Sequence, residues 1–409
     1  MATGHDVLIL GRNAAAAHRL LPNAGWIEAD LSDPQPEIIW QDRLEDVDAV
    51  VNASGALQSG ARDNLEAVHH QAIATLIRAC ETCGVNTFVQ ISSVGAKLDA
   101  STEFMRSKAR GDACVSSSTL SWFIVRPGLV IGPNAYGGTA LIRMLASVPL
   151  IQPMALGDTL IQTVSVSDLS DVVLDAIEGR LPSHEAFDVV EESQHSLREV
   201  VGEFRSWLGF ERARVEVTIP GFVLSAVAIG ADALGYAGWR SPLRTTTLQV
   251  LAEGVLGDSR SFSKIDSRNF SSLQQTLDNL PSTLQERWFA RLYFLMPVTI
   301  AVLAAFWVLT GVIALLNFDE SIRMSGLSEV ASRIALVSGS VVDVTLGGAI
   351  LYRPWSKMAC WSMAAVTSVY LVVGSVFRPD LWSDPLGPLL KAVPILVLVL
   401  VAALFVEDR

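Results

Sequence analysis

Polar side chains that could take part in binding or catalysis follow two apolar runs, at residues 88–91 and 122–125. Each run is rich in β-branched and aromatic residues, as is typical of a buried strand. The polar or turn-forming residues at the ends of the runs, or between them, are Ser92, Ser93, Lys108, Arg126, Pro127 and Gly128. In an open parallel sheet, ligands bind where the strands end. We therefore expect the hydroxyls, the ammonium group and the Arg-Pro-Gly turn to face one crevice.

Strands alternating with helices would position these groups. Apolar runs predict strands at residues 6–10, 26–29, 47–51, 88–91 and 122–125. The stretch 65–80 predicts a helix between the third and fourth strands. Because each strand is apolar throughout, the pattern predicts an α/β fold with a parallel sheet covered on both faces.

Composition divides the chain into a soluble part and a membrane part. Hydrophobic residues make up 50% of the 409 residues, and their excess lies after Leu292. The formal net charge of -12 argues against a nucleic-acid surface, which needs clustered Lys and Arg. Four cysteines do not make a disulfide framework for a chain of this length. The N-terminal residues do not form a basic segment followed by an apolar core, so we expect no secretory signal peptide and a cytoplasmic N-terminus.

Several motifs occur in a recognisable order. They are LGRN, ADL, VVNASG, ISSVGA, FMRSK, RPGLVIGPNAYGG and VSVSDLSDVV. With them, residues 4–188 resemble the extended and atypical short-chain dehydrogenase/reductase-like proteins, a group that includes epimerases and quinone-reductase-like NAD(P)-binding proteins. The resemblance implies a Rossmann-like doubly wound parallel sheet and a nicotinamide dinucleotide, NADP or NAD, as cofactor.

The resemblance also implies roles for single residues. Ser93 would hydrogen-bond a carbonyl, and Lys108 would contact the nicotinamide ribose; these two are the candidate catalytic residues. Arg12 follows the strand whose end binds the adenosine ribose in this family, and a guanidinium there suits the 2′-phosphate of NADP. An arginine exposed to solvent in a turn is equally favoured. Asp30 would bond the adenine amino group or cap a helix. The implied cofactor-binding residues are Arg12, Asp30, Leu31, Ser54, Gly55, Lys108, Arg126, Pro127 and Gly128.

Two departures separate the chain from an ordinary reductase of this group. The family begins with a strand and a GxxGxxG turn whose amides meet the cofactor pyrophosphate, and the first residues, MATGHD, provide neither. Without that central strand two neighbouring strands would lack a partner, so a start placed too late is favoured over real loss. The family's reductases carry Tyr four residues before the Lys, and here the residue is Phe104, which has no proton to give. Tyr136 is a possible substitute, but an ordinary loop aromatic is favoured.

Two further pairs have ligand-like spacing but favour structural roles. Cys80 and Cys83 end a predicted helix without a second ligand pair nearby. His69 and His70 are adjacent, so they point to different faces of that helix. No metal site is predicted.

The chain is expected to comprise three segments. Residues 1–190 form the NAD(P)-binding domain, 191–286 a substrate-side lobe and connector, and 287–409 a membrane domain. Within the second segment, Pro220 to Tyr236 is apolar but short for a crossing of about 20 residues. It predicts an interfacial helix or a core helix of the lobe.

Four apolar runs at about 292–316, 330–351, 358–377 and 386–406 are long enough to span a bilayer. This part of the chain resembles the DoxX-like membrane domain, an all-α four-helix bundle. Arg287 and Arg291 precede the first run, and Arg353 and Lys357 lie between the second and third. The positive-inside rule therefore predicts a multi-pass protein of the plasma or inner membrane with both termini in the cytoplasm.

Asp343 lies near the middle of the second predicted span, where an ionised carboxylate is energetically costly. A quinone or proton site is one interpretation. Interhelical hydrogen bonds among Ser338, Ser340 and Thr345 are the commoner one.

Two functions from different classes fit these features. The first is a membrane-anchored NAD(P)-binding oxidoreductase that passes electrons to a lipid-soluble acceptor such as a quinone. The second is a catalytically silent nucleotide-binding scaffold or sensor, which the absent glycine turn and Phe104 favour.

Overall fold

The computed structural model describes residues 4–13, 18–19, 21–33, 37–60, 63–325 and 328–406. The chain divides into two compact units. Unit 1 comprises residues 1–135, 155–203 and 245–281, and unit 2 comprises residues 136–154, 204–244 and 282–409. The segment boundaries at 190 and 286 stay a prediction.

Unit 1 is built around parallel strands, as the apolar runs predict. Its strands are β1 (Leu8–Gly11), β2 (Gly25–Glu28), β3 (Ala49–Asn52), β4 (Thr87–Ile91), β5 (Ser121–Pro127), β6 (Leu129–Ile131), β8 (Leu160–Ile161), β9 (Thr163–Ser165), β10 (Glu185–Val189) and β11 (His195–Ser196). The main sheet has four parallel strands in the order β10-β5-β4-β3. β1 and β2 form a separate parallel pair.

The helices of unit 1 cover both faces of the main sheet. They are α1 (Glu37–Arg43), a π-helical turn (Ala67–Gln71) that continues into α2 (Ala72–Cys83), α3 (Glu103–Ser116), α5 (Val166–Ile177), α8 (Thr245–Glu253), α9 (Ser259–Ser263) and α10 (Leu273–Asp278). α6 (Leu197–Trp207) starts in unit 1 and ends in unit 2.

Strand β4 explains why the run at 88–91 is apolar throughout. Phe88 packs into a cluster with Cys80 and Ile77 of α2, whereas Val89 packs into a second cluster with Val172 of α5. Successive side chains of a strand point to opposite faces, and here each face is buried.

The pair β1-β2 shares an apolar cluster with the main sheet but, within the described residues, no strand pairing. Among the described strands, β1 pairs only with β2, and β3 pairs only with β4. Leu8 of β1 and Val51 of β3 are 50% and 41% exposed. Leu10 of β1 and Val50 of β3 pack against the same apolar cluster.

Unit 2 combines a small α/β part with long apolar helices. Its elements are α4 (Gly137–Ser147), β7 (Ile151–Met154), β12 (Val215–Thr218), α7 (Gly221–Tyr236), α11 (Leu284–Leu316), α12 (Phe318–Ser325), α13 (Glu329–Ala349), α14 (Arg353–Phe377), a 3-10 turn (Pro379–Trp382) and α15 (Pro388–Phe405). β7 and β12 pair in parallel. The four helices α11, α13, α14 and α15 are long and apolar enough to cross a membrane, which confirms the predicted membrane domain.

Small residues let these long helices approach closely. A Cβ atom built on Gly347 would lie 2.9 Å from the backbone nitrogen of Val308, and one on Gly311 would lie 2.7 Å from the carbonyl oxygen of Ser340. Close contact through glycine is how membrane helices gain packing energy without a hydrophobic driving force between them.

Candidate functional site

Lys108 lies on α3, at the carboxyl end of the main sheet. The helix begins after Thr102, whose hydroxyl accepts a hydrogen bond from the Met105 amide at 3.4 Å. From there α3 passes beneath the end of β4, and Lys108 Nζ donates to the carbonyl oxygen of Ile91 at 3.3 Å. Only 7% of Lys108 is exposed. An ammonium group has three donors, so this bond leaves donors for a ligand.

Gly55 brings the loop after β3 close to Lys108. A Cβ atom on Gly55 would lie 3.9 Å from Lys108 Nζ and 3.7 Å from His69 Nε2. The loop backbone therefore passes over the ammonium group at contact distance, as a cofactor cradle requires. The loop and Lys108 thus meet at the edge of the sheet where the sequence predicts the cofactor.

His69, which was assigned no functional role from the sequence, ties the elements around Lys108 together. Its Nε2 accepts a hydrogen bond from the Ala56 amide at 3.0 Å, and its Nδ1 lies 2.8 Å from Ser107 Oγ. Because Nε2 accepts, the neutral ring carries its proton on Nδ1 and donates it to Ser107. Ser107 in turn donates to the carbonyl oxygen of Phe104 at 2.9 Å. The loop after β3 is thereby fastened to α3.

Burial governs the protonation of both bases at this site. Desolvation lowers the pKa of Lys108 to about 8, against the opposing effect of the Asp112 carboxylate. Desolvation and the positive charges of Lys108 and Arg110 lower the pKa of His69 to about 3. At neutral pH, therefore, Lys108 is cationic but close to its titration, and His69 is neutral.

Phe104 occupies the position four residues before Lys108. Its ring centroid lies 5.8 Å from Lys108 Nζ and 5.6 Å from the His69 ring, which it meets edge to face. The ring thus covers the ammonium group with an apolar surface and brings no proton donor to it.

A second buried cluster joins the ends of β4 and β5 through Asp112. Ser92 Oγ donates to Asp112 Oδ2 at 2.8 Å, and Arg126 contacts the same oxygen at 3.2 Å. Desolvation raises the pKa of Asp112, although Ser92 and Arg126 oppose the shift. Ser93 points elsewhere and donates to the Val94 carbonyl oxygen at 3.1 Å. Asp112 went unnoticed in the sequence, where its spacing of four from Lys108 was the available signal.

Other implied cofactor residues have protein partners. Arg12 donates to Asp63 at 2.8 Å, Asp30 accepts from the Ser32 amide at 2.9 Å, and the Ser54 hydroxyl donates to Asn52 at 2.6 Å. Leu31 packs against the cluster around Phe88.

Pro127 and Gly128 lie where β5 ends. Pro127 is the last residue of β5 and is buried. A Cβ atom on Gly128 would lie 2.5 Å from the carbonyl oxygen of Gln162. Gly128 is therefore required by the packing of the strands. The cofactor-binding roles that the family resemblance implies for single residues, including Arg12 and Gly128, stay predictions.

Within each of the two pairs with ligand-like spacing, Cys80 with Cys83 and His69 with His70, the two side chains lie in different environments. Cys80 is buried, which raises the pKa of its thiol to about 12, and Cys83 is exposed. His70 faces Glu66 at 2.6 Å rather than His69's partners. Among the described residues, no group of three His, Cys, Asp or Glu side chains could hold a metal ion. Tyr136 precedes α4 in unit 2 and is 68% exposed.

The membrane bundle contains buried polar groups on α11 and on α13. Ser340 Oγ and Trp307 Nε1 are buried without a hydrogen-bond partner within the described part of the chain. Asp343 lies one turn from Ser340, and its Cβ would be 3.1 Å from a Cβ on Gly311. Ser338 instead donates to the Ile334 carbonyl oxygen of its own helix at 2.7 Å.

The state of His69 predicts a specific sensitivity to acid. Between pH 6.5 and about 3 the unfolded chain binds a proton at this residue and the folded chain does not, so stability falls as the pH falls. At pH 4.5 we expect the opening free energy of β4, measured by hydrogen exchange, to drop by about 2 kcal/mol more in the wild type than in His69→Gln. His184→Gln, at an exposed histidine of the same unit, is the matched control and should behave as the wild type. Equal losses in all three proteins would contradict a buried neutral His69.

Comparisons with known proteins agree with this architecture. A family model described as NAD(P)H-binding matches residues 1–178, and a model of the DoxX-like family matches residues 304–400. Comparison with curated protein sequences gave no match. The chain thus carries an NAD(P)-binding domain near its N-terminus and a DoxX-like membrane domain near its C-terminus, as predicted.

Two solved structures show the fold. The Bordetella bronchiseptica enzyme WbmG in complex with NAD and UDP is 17% identical, with a TM-score of 0.51 over 70% of this chain and 87% of that one. The enzyme WbmH of the same organism in complex with NAD+ is 16% identical, with a TM-score of 0.50 over 68% of this chain and 89% of that one. These similarities confirm the Rossmann-like parallel α/β fold.

Proposed function

We propose that this NAD(P)-binding membrane protein is an oxidoreductase that reduces a lipid-soluble acceptor of the quinone type. NAD(P)H would supply a hydride, the acceptor would gain that hydride and one proton to become a hydroquinone, and NAD(P)+ would leave. NADP is the proposed form of the cofactor because Arg12 follows β1, where a guanidinium suits a 2′-phosphate.

The observation that carries the proposal is Phe104 beside the buried Lys108. Reduction of an ordinary ketone produces a strongly basic alkoxide, so it needs a proton donor such as tyrosine at the reacting oxygen. Reduction of a quinone produces a phenolate-like anion, and phenols have a pKa of about 10. Such an anion takes its proton from water or from a nearby ammonium group. A site with a lysine and no tyrosine therefore suits a quinone better than a ketone.

The residues around Lys108 have separate tasks in this proposal. Lys108 would bind the ribose hydroxyls of the dinucleotide, and its positive charge would stabilise the developing anion of the acceptor. The Phe104 ring would exclude water from the same face. His69 would position the loop after β3 through its bond to the Ala56 amide.

The membrane bundle offers polar groups to a lipid-soluble acceptor. Trp307 Nε1 and Ser340 Oγ are buried donors without a partner within the described residues, and quinone carbonyl oxygens are acceptors of the matching kind. Asp343 lies one turn from Ser340 on α13 and would be a third polar group for the acceptor within the bundle.

The positive-inside rule supports a cytoplasmic NAD(P)-binding domain. Arg287 and Arg291 lie in the first turns of α11, and Arg353 and Lys357 lie in the first turns of α14. The ends of the helices that carry these charges would face the cytoplasm, where NAD(P)H is present. Both termini would then be cytoplasmic.

The test is cofactor-dependent quinone reduction by the purified full chain in lipid nanodiscs. We expect oxidation of NADPH when a short-chain ubiquinone is added, and no oxidation with ketone or aldehyde acceptors. Cofactor binding without turnover on any quinone would contradict the proposal and would favour a nucleotide-binding scaffold. Faster reduction of ketones than of quinones would overturn the choice of acceptor.

A further inference from the structure

Helix α7 exposes apolar side chains around most of its surface. Of its 16 residues, the small residues Ala228, Ala231 and Gly235 are buried on one face. The large exposed side chains are Phe222 (78%), Val223 (37%), Val227 (44%), Ile229 (68%), Leu234 (42%) and Tyr236 (73%). A helix that is apolar all round belongs in a protein core or in a membrane, and α7 is not in a core.

The single charge of α7 is neutralised within unit 2. Asp232 is the only ionisable residue between Gly221 and Gly235, and Arg244 Nε lies 3.2 Å from its Oδ1. The Arg244 side chain is 10% exposed and fits against Gly235, where a Cβ atom would lie 2.6 Å from the guanidinium carbon. The ion pair thus lowers the cost of placing Asp232 in a medium of low polarity.

The C-terminal end of α7 is fastened to the junction between α13 and α14. The Arg353 amide donates to the Ala237 carbonyl oxygen at 2.9 Å, and Trp239 Nε1 donates to the Leu351 carbonyl oxygen at 2.6 Å. Arg353 also stacks on the Trp239 ring at 5.4 Å. This junction joins two spans, so it lies at the surface of the bilayer, and the C-terminal end of α7 lies at that level.

We propose that α7 is embedded in one leaflet of the bilayer, at the membrane face where α13 ends and α14 begins. At a rise of about 1.5 Å per residue it is too short to cross a hydrocarbon core about 30 Å thick. Its apolar surface instead contacts lipid tails, while Tyr236 and Trp239 lie at the level of the headgroups, where aromatic residues with a polar edge are favoured. The occupant of the exposed face is therefore lipid, and the proposal does not depend on the redox chemistry.

Three isoleucines of similar exposure allow a matched test. Ile229 of α7 is 68% exposed, Ile38 of α1 is 63% exposed, and Ile334 of the membrane helix α13 is 65% exposed. Each is replaced by cysteine in a full chain whose accessible Cys83 and Cys114 are changed to serine, and is labelled with a nitroxide in lipid nanodiscs. Collisions with oxygen, which partitions into lipid, are compared with collisions with a water-soluble nickel chelate.

We expect the oxygen-to-nickel ratio at Ile229→Cys to be several-fold higher than at Ile38→Cys and to approach that at Ile334→Cys. A ratio equal to that at Ile38→Cys would place α7 in water and overturn the proposal. Protection from both collision partners would also overturn it, because α7 would then be covered by protein, such as a second copy of the chain.

Discussion

Replacing Lys108 by methionine is expected to weaken NADPH binding at pH 7 by about 10- to 100-fold and to abolish cofactor-dependent turnover. A hydrogen bond from a charged group is worth about 1.5–3 kcal/mol, and about 1.4 kcal/mol corresponds to tenfold in affinity. Methionine keeps the unbranched shape of the stem, so the loss isolates the ammonium group that lies near Gly55 and Phe104. Calorimetric titration of the full chain with NADPH measures the effect.

The pH dependence of binding separates the charge of Lys108 from its packing. Its pKa is lowered to about 8, so the wild type should lose affinity as the pH rises through 8, while Lys108→Met stays flat. Folding stability should change in the opposite sense. The unfolded lysine keeps its proton up to about pH 10.5, so the stability of the wild type rises between pH 8 and that value.

Lys97 provides the matched control because it is an exposed lysine in the same unit. Lys97→Met should bind NADPH as the wild type does at every pH. If Lys108→Met bound NADPH normally, the ammonium group would not contact the cofactor, and the proposed role of Lys108 would be wrong.

The parts of the fold that could be predicted are those set by local pattern. Strands β4 and β5 lie between two apolar clusters, so their sequences are apolar without alternation and are followed by polar residues or by Pro-Gly. The membrane helices were predictable for a similar reason, since a bilayer requires a long apolar run. Lys108 was found because a lysine at a fixed distance from ISSVGA resembles a family motif.

The parts that could not be predicted depend on contacts between distant elements. The role of His69 rests on Ala56 and Ser107, which lie on a loop and on another helix. Nothing local in the sequence indicates that the helix begins with a π-helical turn from Ala67 to Gln71, in which His69 is buried. Asp112 was missed because an acidic residue on a predicted helix is usually solvated, and here it is 5% exposed.

Gly111→Ala is expected to lower the free energy of unfolding of unit 1 by about 3 kcal/mol, at the upper end of the cost of overpacking. Gly111 is the point where α3 crosses the π-helical turn. A Cβ atom there would lie 2.2 Å from the His69 carbonyl oxygen and 2.9 Å from Ile73 Cδ1. The first contact is with backbone, so it cannot be relieved by a rotamer change, and the turn that carries His69 must move away from α3.

The native labelling rate of Cys80 measures this effect in the full chain. Cys80 is fully buried in the cluster of α2 with β4, so its thiol reacts only when that core opens, and mass spectrometry distinguishes it from the exposed Cys83. Gly111→Ala should raise the labelling rate of Cys80 by about 100-fold, the factor that corresponds to about 3 kcal/mol.

Gly202→Ala on α6 is the control, because a Cβ atom at Gly202 has no neighbour within 4 Å. An alanine there removes the entropic cost of a helical glycine and should leave Cys80 labelling unchanged or slower. If Gly111→Ala labelled no faster than the control, α3 would not be in contact with the π-helical turn. The two contacts by which His69 connects the loop near Lys108 to α3 are its hydrogen bond with Ser107 and its edge-to-face contact with Phe104. Both depend on that crossing, so neither would then form.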